Sequence, residues 1–143
     1  MFDLLQYTQA IQQMRDELIH VGVKELRTAD EVSAILPESK GTTLVFVNSV
    51  CGCAAGKARP GFAMSLQNNV VPDHLYTVFA GQDKAATEEA RKFFTGYPPS
   101  SPSVALLKDG ELVGMIERRQ IEGRSASDVA QDLKSLYNKF CAQ

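Results

Sequence analysis

The chain has 143 residues, 44% of them hydrophobic and 22% charged, which fits a single globular domain spanning residues 1–143 with a real hydrophobic core. A formal net charge of -2 provides no basic field for phosphate backbones, so nucleic acid is not an expected partner. The longest apolar run, around Thr43–Val47, is strand-sized, and the N-terminus carries Asp3 with no basic segment ahead of its apolar residues, so a cytoplasmic protein without membrane association is expected.

The apolar positions Ile11, Met14, Leu18 and Val21 recur at helical spacing and predict a helix from Tyr7 to His20, with Gly22 as its stop. Met14 reads as core filling. A short strand follows. Thr28-Ala29-Asp30-Glu31 is a capping-box pattern ahead of a short helix to about Leu36, closed by Pro37. Thr42 to Val50 (TTLVFVNSV) is β-branched and mostly apolar, the pattern of a strand buried on both faces, and it runs straight into Cys51.

Ala54 to Asn68 reads as a helix bent at Pro60 and Gly61. His74 to Ala80 is a second long strand, followed by a helix from about Lys84 to Thr95 in which Glu88 and Lys92 are spaced for an ion pair. Pro98-Pro99-Ser100-Ser101-Pro102 forces a rigid, extended loop. Val104–Leu107 and Leu112–Ile116 are short strands around Asp109-Gly110, a strong hairpin signal. Ser125 caps a last helix whose apolar stripe is Val129, Leu133, Leu136 and Phe140. The sum is an α/β chain, a central mixed β-sheet flanked by helices on both faces, with the helices near 54–68 and 84–95 each joining parallel strands.

Three cysteines are too few for a structural disulfide framework, and Cys51-Gly52-Cys53 stands where a buried strand ends and a helix begins. Unpaired backbone amides and the helix dipole favour negative charge at such a place, so a cysteine there ionises more readily than a free one. Lys57 and Arg59 in the following turns would add positive potential. A disulfide across one residue needs a turn, for which Gly52 offers backbone freedom, and the bond would be strained and oxidising. Cys51, at the helix entrance, is assigned as the attacking thiolate and Cys53 as the resolving thiol; the reverse assignment is the alternative.

Other donors are weaker candidates. His20 and His74 read as surface or helix-end residues, and with Cys141 they show no accepted zinc spacing to the motif, so no metal site is assigned. Cys141, after the last helical stripe residue, reads as a buried or frayed-end thiol. Arg118 and Arg119 suit carboxylates but are read as a solvated strand end. Asn48 and Ser49 either contact the site or finish a strand. Pro102, directly before a short strand and hairpin, stands where a cis-proline faces active-site cysteines in the thioredoxin fold.

The segments Val47-Asn48-Ser49-Val50-Cys51-Gly52-Cys53-Ala54-Ala55-Gly56, with Ala58-Arg59-Pro60 following, resemble the bacilliredoxin family of thioredoxin-like proteins. So do Val78-Phe79-Ala80-Gly81-Gln82-Asp83-Lys84, Ser100-Ser101-Pro102-Ser103, Ile121-Glu122-Gly123 and the cysteine near the C-terminus. The chain has no Trp and thus lacks the Trp-Cys-Gly-Pro-Cys segment of a general thioredoxin. The resemblance implies a thioredoxin-like fold and reduction of mixed disulfides between client proteins and bacillithiol. Cys51 would take up the bacillithiol and Cys53 would resolve it; by their places beside the motif and at the expected cis-proline, Gly52, Lys57, Arg59, Ser101 and Pro102 are the candidate substrate contacts. No tightly bound cofactor is implied: bacillithiol is a co-substrate, and an NADPH-dependent flavin reductase is a partner for recycling. A general protein disulfide isomerase or reductase is the alternative, and a metal-binding or redox-sensing module the third reading.

Overall fold

Capping chemistry sets the helix ends in the computed structural model, which describes residues 3–141. Helix α1 (Leu4–Ile19) begins at Asp3, whose carboxylate accepts the Leu5 amide at 3.1 Å. It closes where Gly22 adopts φ +96°: the Gly22 amide reaches the Ile19 carbonyl and the Val23 amide the Leu18 carbonyl, the pairing that left-handed glycine permits. Strand β1 (Lys24–Glu25) is brief, and α2 (Ala29–Ile35) carries the expected capping box of Thr28 and Glu31.

The remaining elements are β2 (Thr42–Asn48), a π-helical turn (Ala54–Ala58) running into α3 (Arg59–Ser65), β3 (His74–Phe79), α4 (Lys84–Arg91), β4 (Ser103–Lys108), β5 (Glu111–Ile116), a 3₁₀ turn (Arg118–Gln120) and α5 (Ala126–Phe140). The π turn is the bend expected near Pro60. Pro60 has no amide to donate, and the Arg59 amide reaches back to Ala54 instead of one residue less. Asp109 and Gly110 both take positive φ (49° and 83°), closing the β4–β5 hairpin as a type I′ turn.

The sheet order is β1-β3-β2-β4-β5. β2 pairs parallel with β3 and antiparallel with β4, so the sheet is mixed. The helical crossover at 54–65 joins parallel neighbours as expected. The expectation that the 84–95 segment does the same is corrected: β4 runs against β2, and therefore against β3. Helix α4 ends at Arg91, and the long loop after it returns the chain to the end of the sheet that it left.

Two further expectations change in detail. Lys92 pairs with Glu89 (2.9 Å), not Glu88, because α4 tightens at its end: the Lys92 amide bonds the Glu89 carbonyl three residues back, aligning those two side chains. On α5 the buried stripe is Val129, Ala130, Leu133 and Tyr137, with Leu136 and Phe140 half-buried at its margin. Tyr137 is tolerated inside because its hydroxyl meets Ser65 Oγ at 2.8 Å.

Alternation along β2 supplies both cores. Leu44 and Phe46 join Phe62, Val104, Leu106, Val129, Leu133 and Tyr137 on the α3/α5 face. Val45 and Val47 join Val32, Leu36, Val78, Ala90, Phe94 and Leu107 on the α2/α4 face. Each large apolar side chain so withdrawn from water contributes about 1.5–3 kcal/mol, which makes β2 the structural spine that holds Cys51 at its end. Among the described residues, no helix is long and apolar enough to cross a membrane.

Candidate active site

The end of β2 is fixed by a buried polar cluster. Asn48, 1% exposed, donates from Nδ2 to the Met14 carbonyl (3.3 Å) and accepts from the Ser49 amide (2.9 Å). Arg59 Nη1 donates to Asn48 Oδ1 and to the Ser49 carbonyl, both at 2.9 Å. Its Nε lies 3.2 Å from Glu17 Oε1, an ion pair without hydrogen-bond alignment. Arg59 is 3% exposed. The expectation of a cation offered to substrate is therefore corrected: its charge braces α1, β2 and α3 around the base of the cysteine loop, because the strand end leaves the Asn48 and Ser49 oxygens to be satisfied there.

From this base the loop delivers the sulfurs. Ser49 Oγ accepts the Cys51 amide at 3.2 Å, and the Cys51 carbonyl accepts the Ala54 and Ala55 amides at 3.1 and 3.3 Å. Cys51 and Cys53 are half-buried free thiols with their Sγ atoms 2.6 Å apart. Burial acts to raise the Cys51 thiol, but the Cys53 thiol, the Ser49 hydroxyl and the backbone amides of Ala54 and Cys53 outweigh it, so Cys51 ionises below the ordinary cysteine value. Cys53 moves the other way, pushed up by burial and then by the neighbouring Cys51, with only partial relief from the Arg118 charge. Gly52 does not use its conformational freedom. In the dithiol its φ is not positive, it lies in the first helical turn, and a Cβ there would meet nothing within 4 Å, so open space adjoins it.

The opposite wall comes from β4. Val47 pairs with Ser103, so the chain just before β4 passes beside the end of β2. The Ser101–Pro102 peptide there is cis, Pro102 is buried and Ser101 half-buried. The Ser101 carbonyl accepts Arg118 Nη1 at 3.2 Å. Arg118 Nε in turn donates to Glu122 Oε2 at 3.0 Å, and Lys57 Nζ donates to the Glu122 carbonyl. Three segments are thus tied together at the sheet end that carries the thiols: the π turn with Lys57, the cis-proline loop with Ser101, and the segment after β5 with Arg118 and Glu122.

Arg118 is the residue that sequence reasoning undervalued. A signal existed: Ile116 pairs with Val104 in the hairpin, so the residues just past Ile116 emerge at the same sheet end as Pro102. Other candidates lie elsewhere. His20 caps the exposed end of α1, while His74 opens β3, where its ring meets the Lys40 carbonyl and stacks on Tyr76. Cys141, its thiol raised chiefly by burial, interacts with Thr42 at the start of β2, roughly 20 Å of strand away from Cys51. Among the described residues no three His, Cys, Asp or Glu side chains converge to hold a metal ion.

The profile of the Disulphide isomerase family matches residues 7–141. A bacilliredoxin of Geobacillus kaustophilus is 54% identical over 93% of this chain and 92% of its own, and one of Staphylococcus epidermidis is 51% identical over 99% and 97%. Among solved structures, the oxidised thioredoxin of Plasmodium falciparum superposes with a TM-score of 0.57 at 19% identity, covering 85% of this chain and 100% of that one. The reduced thioredoxin of Schistosoma mansoni gives 0.56 at 20% identity, covering 82% and 97%. Those two likenesses establish the thioredoxin fold.

Proposed function

The chain belongs to the bacilliredoxin family of thiol–disulfide oxidoreductases, and from that premise we propose that it removes bacillithiol from client proteins through Cys51 and Cys53. The observation that carries the reading is the asymmetry of the pair: two sulfurs in contact, one held low and the other high. Cys51, the more readily ionised of the two thiols, attacks the bacillithiol sulfur of the mixed disulfide as its thiolate, and the client leaves as a thiolate. Cys53 then loses its proton and attacks Cys51 Sγ, releasing bacillithiol and leaving the pair as a disulfide. Two electrons, from bacillithiol or an NADPH-dependent flavin reductase, return it to the dithiol.

In this reading Ser101 and Pro102 receive the substrate chain, Gly52 leaves the approach open, and Lys57 shapes the rim. Bacillithiol is a co-substrate rather than a resident group, and the cytoplasm supplies the reducing setting in which the pair turns over. General disulfide isomerisation is the second reading, favoured by the family's description and by Val50, half-exposed beside Cys51 as an apolar contact for unfolded chains.

The test is a comparison of two substrates: a bacillithiolated protein, scored by its mass loss, and a scrambled disulfide protein, scored by regained activity. Rapid loss of bacillithiol with slow unscrambling is expected. Efficient unscrambling beside an untouched bacillithiolated protein would replace the first reading by the second.

A further inference from the structure

We propose that Arg118 is the positioning residue of the second half-reaction, its guanidinium held on the cis-proline loop at the sheet end that carries the Cys51–Cys53 pair so that Cys53 attacks as a thiolate. The inference rests on the two-step reading above and names the residue that its slower-ionising thiol requires.

The geometry is specific. Arg118 leaves β5 at the sheet end where β2 delivers the cysteines, and it is pinned on two sides, by the Ser101 carbonyl (3.2 Å) and by Glu122 (3.0 Å). Lys57 ties the same segment to the helix that follows the thiols. Among the charged groups around the pair, Arg59 is committed to Glu17 and the strand end, and Glu122 is committed to Arg118. Arg118 is the cation whose charge favours the Cys53 thiolate, opposing the effect of burial, and its attraction to the two sulfurs comes second only to its hydrogen bond with Glu122.

The need arises in one step. Once Cys51 is tied up in the mixed disulfide its own charge is gone, and burial remains as the influence against a Cys53 thiolate. Cys53 gives its proton to solvent and forms a bond to Cys51 Sγ. The bond from Cys51 Sγ to the small thiol breaks, and its electron pair leaves with that thiol. The pair is oxidised to a disulfide and the small thiol is released reduced. Negative charge passes along three sulfurs in this step, and a fixed guanidinium beside them stabilises it throughout.

The experiment mixes the reduced protein with bacillithiolated client and follows formation and decay of the Cys51 adduct by rapid quenching and intact mass. Wild type, Arg118→Gln, Arg118→Lys and Cys53→Ala are compared across pH. Arg118→Gln is expected to slow adduct decay roughly two- to fivefold at neutral pH, the scale of a solvent-exposed charge, and to move the decay profile to higher pH. Adduct formation should change less, and Arg118→Lys should restore most of the decay rate. Unchanged decay in Arg118→Gln, or slowed decay with an unmoved pH profile and no rescue by lysine, would overturn the inference while Cys53→Ala still traps the adduct. If Cys53→Ala traps no adduct, the two-step reading falls first and takes the inference with it.

Discussion

Cys51 and Cys53 are the same side chain one residue apart, and their surroundings drive them in opposite directions. Cys51 accepts help from Ser49 and two backbone amides, whereas Cys53 carries the burden of burial and of Cys51 itself. Alkylation of the folded protein by iodoacetamide should therefore begin at Cys51, with a pH midpoint below that of the unfolded chain, and fall off as the pH drops through that midpoint; peptide mapping after brief labelling gives the order. The placement of the motif was legible, since strand, cysteines and helix follow from pattern. The roles of Gly52 and Arg59 were not, because spacing alone does not say that position 52 falls in an ordinary helical turn or that position 59 turns inward to unsatisfied oxygens. Gly52→Ala should accordingly leave thermal stability unchanged or raise it by up to about 1 kcal/mol, the helix-propensity difference, as calorimetry would show. Tyr137 gives a pH signature of its own. Burial holds its hydroxyl neutral, so its ionisation is raised in the fold; the stability it contributes is complete below the ordinary tyrosine range and is lost as pH rises beyond it. Tyr137→Phe should flatten that alkaline loss in denaturant titrations, at a cost of about 0.5–1.5 kcal/mol near neutrality for the missing bond to Ser65.

Elements were the most readable scale where local chemistry decides. The Thr28–Glu31 box, the Gly22 stop, the Asp109-Gly110 turn and the Ser125 cap all depend on neighbours within a few residues, and each forms as its pattern predicts. The direction of β4 was not readable, because it depends on where the loop after α4 leads rather than on any local preference. Closeness between helices is hidden in the same way. Gly61 lies where α3 meets α5, and a Cβ there would come within 2.8 Å of the Ala126 carbonyl and of Val129 Cβ. Backbone cannot yield as a side-chain tip can, so Gly61→Ala should destabilise by about 1–3 kcal/mol in denaturant titrations, despite alanine's better helix propensity. Because α3 carries Arg59, the same variant should also loosen the cysteine loop.

At the scale of the whole molecule the sheet separates two ends. One gathers the C-terminal ends of β2 and β3, the cis-proline loop and Arg118; the other holds Thr42, His74 and Cys141. The resemblance in sequence spans both ends, including the terminal cysteine, and so could not say which of its residues meet. The fold does: Cys141 lies a strand's length from the pair, and Cys141→Ser should leave the rate of client debacillithiolation unchanged. The central claim is the division of labour between the paired thiols, and intact-protein mass after mixing reduced enzyme with a bacillithiolated client tests it most directly. Cys53→Ala should hold one bacillithiol on Cys51 and Cys51→Ala should hold none. Bacillithiol retained by Cys51→Ala on Cys53, with none on Cys53→Ala, would contradict the account and reverse the two roles.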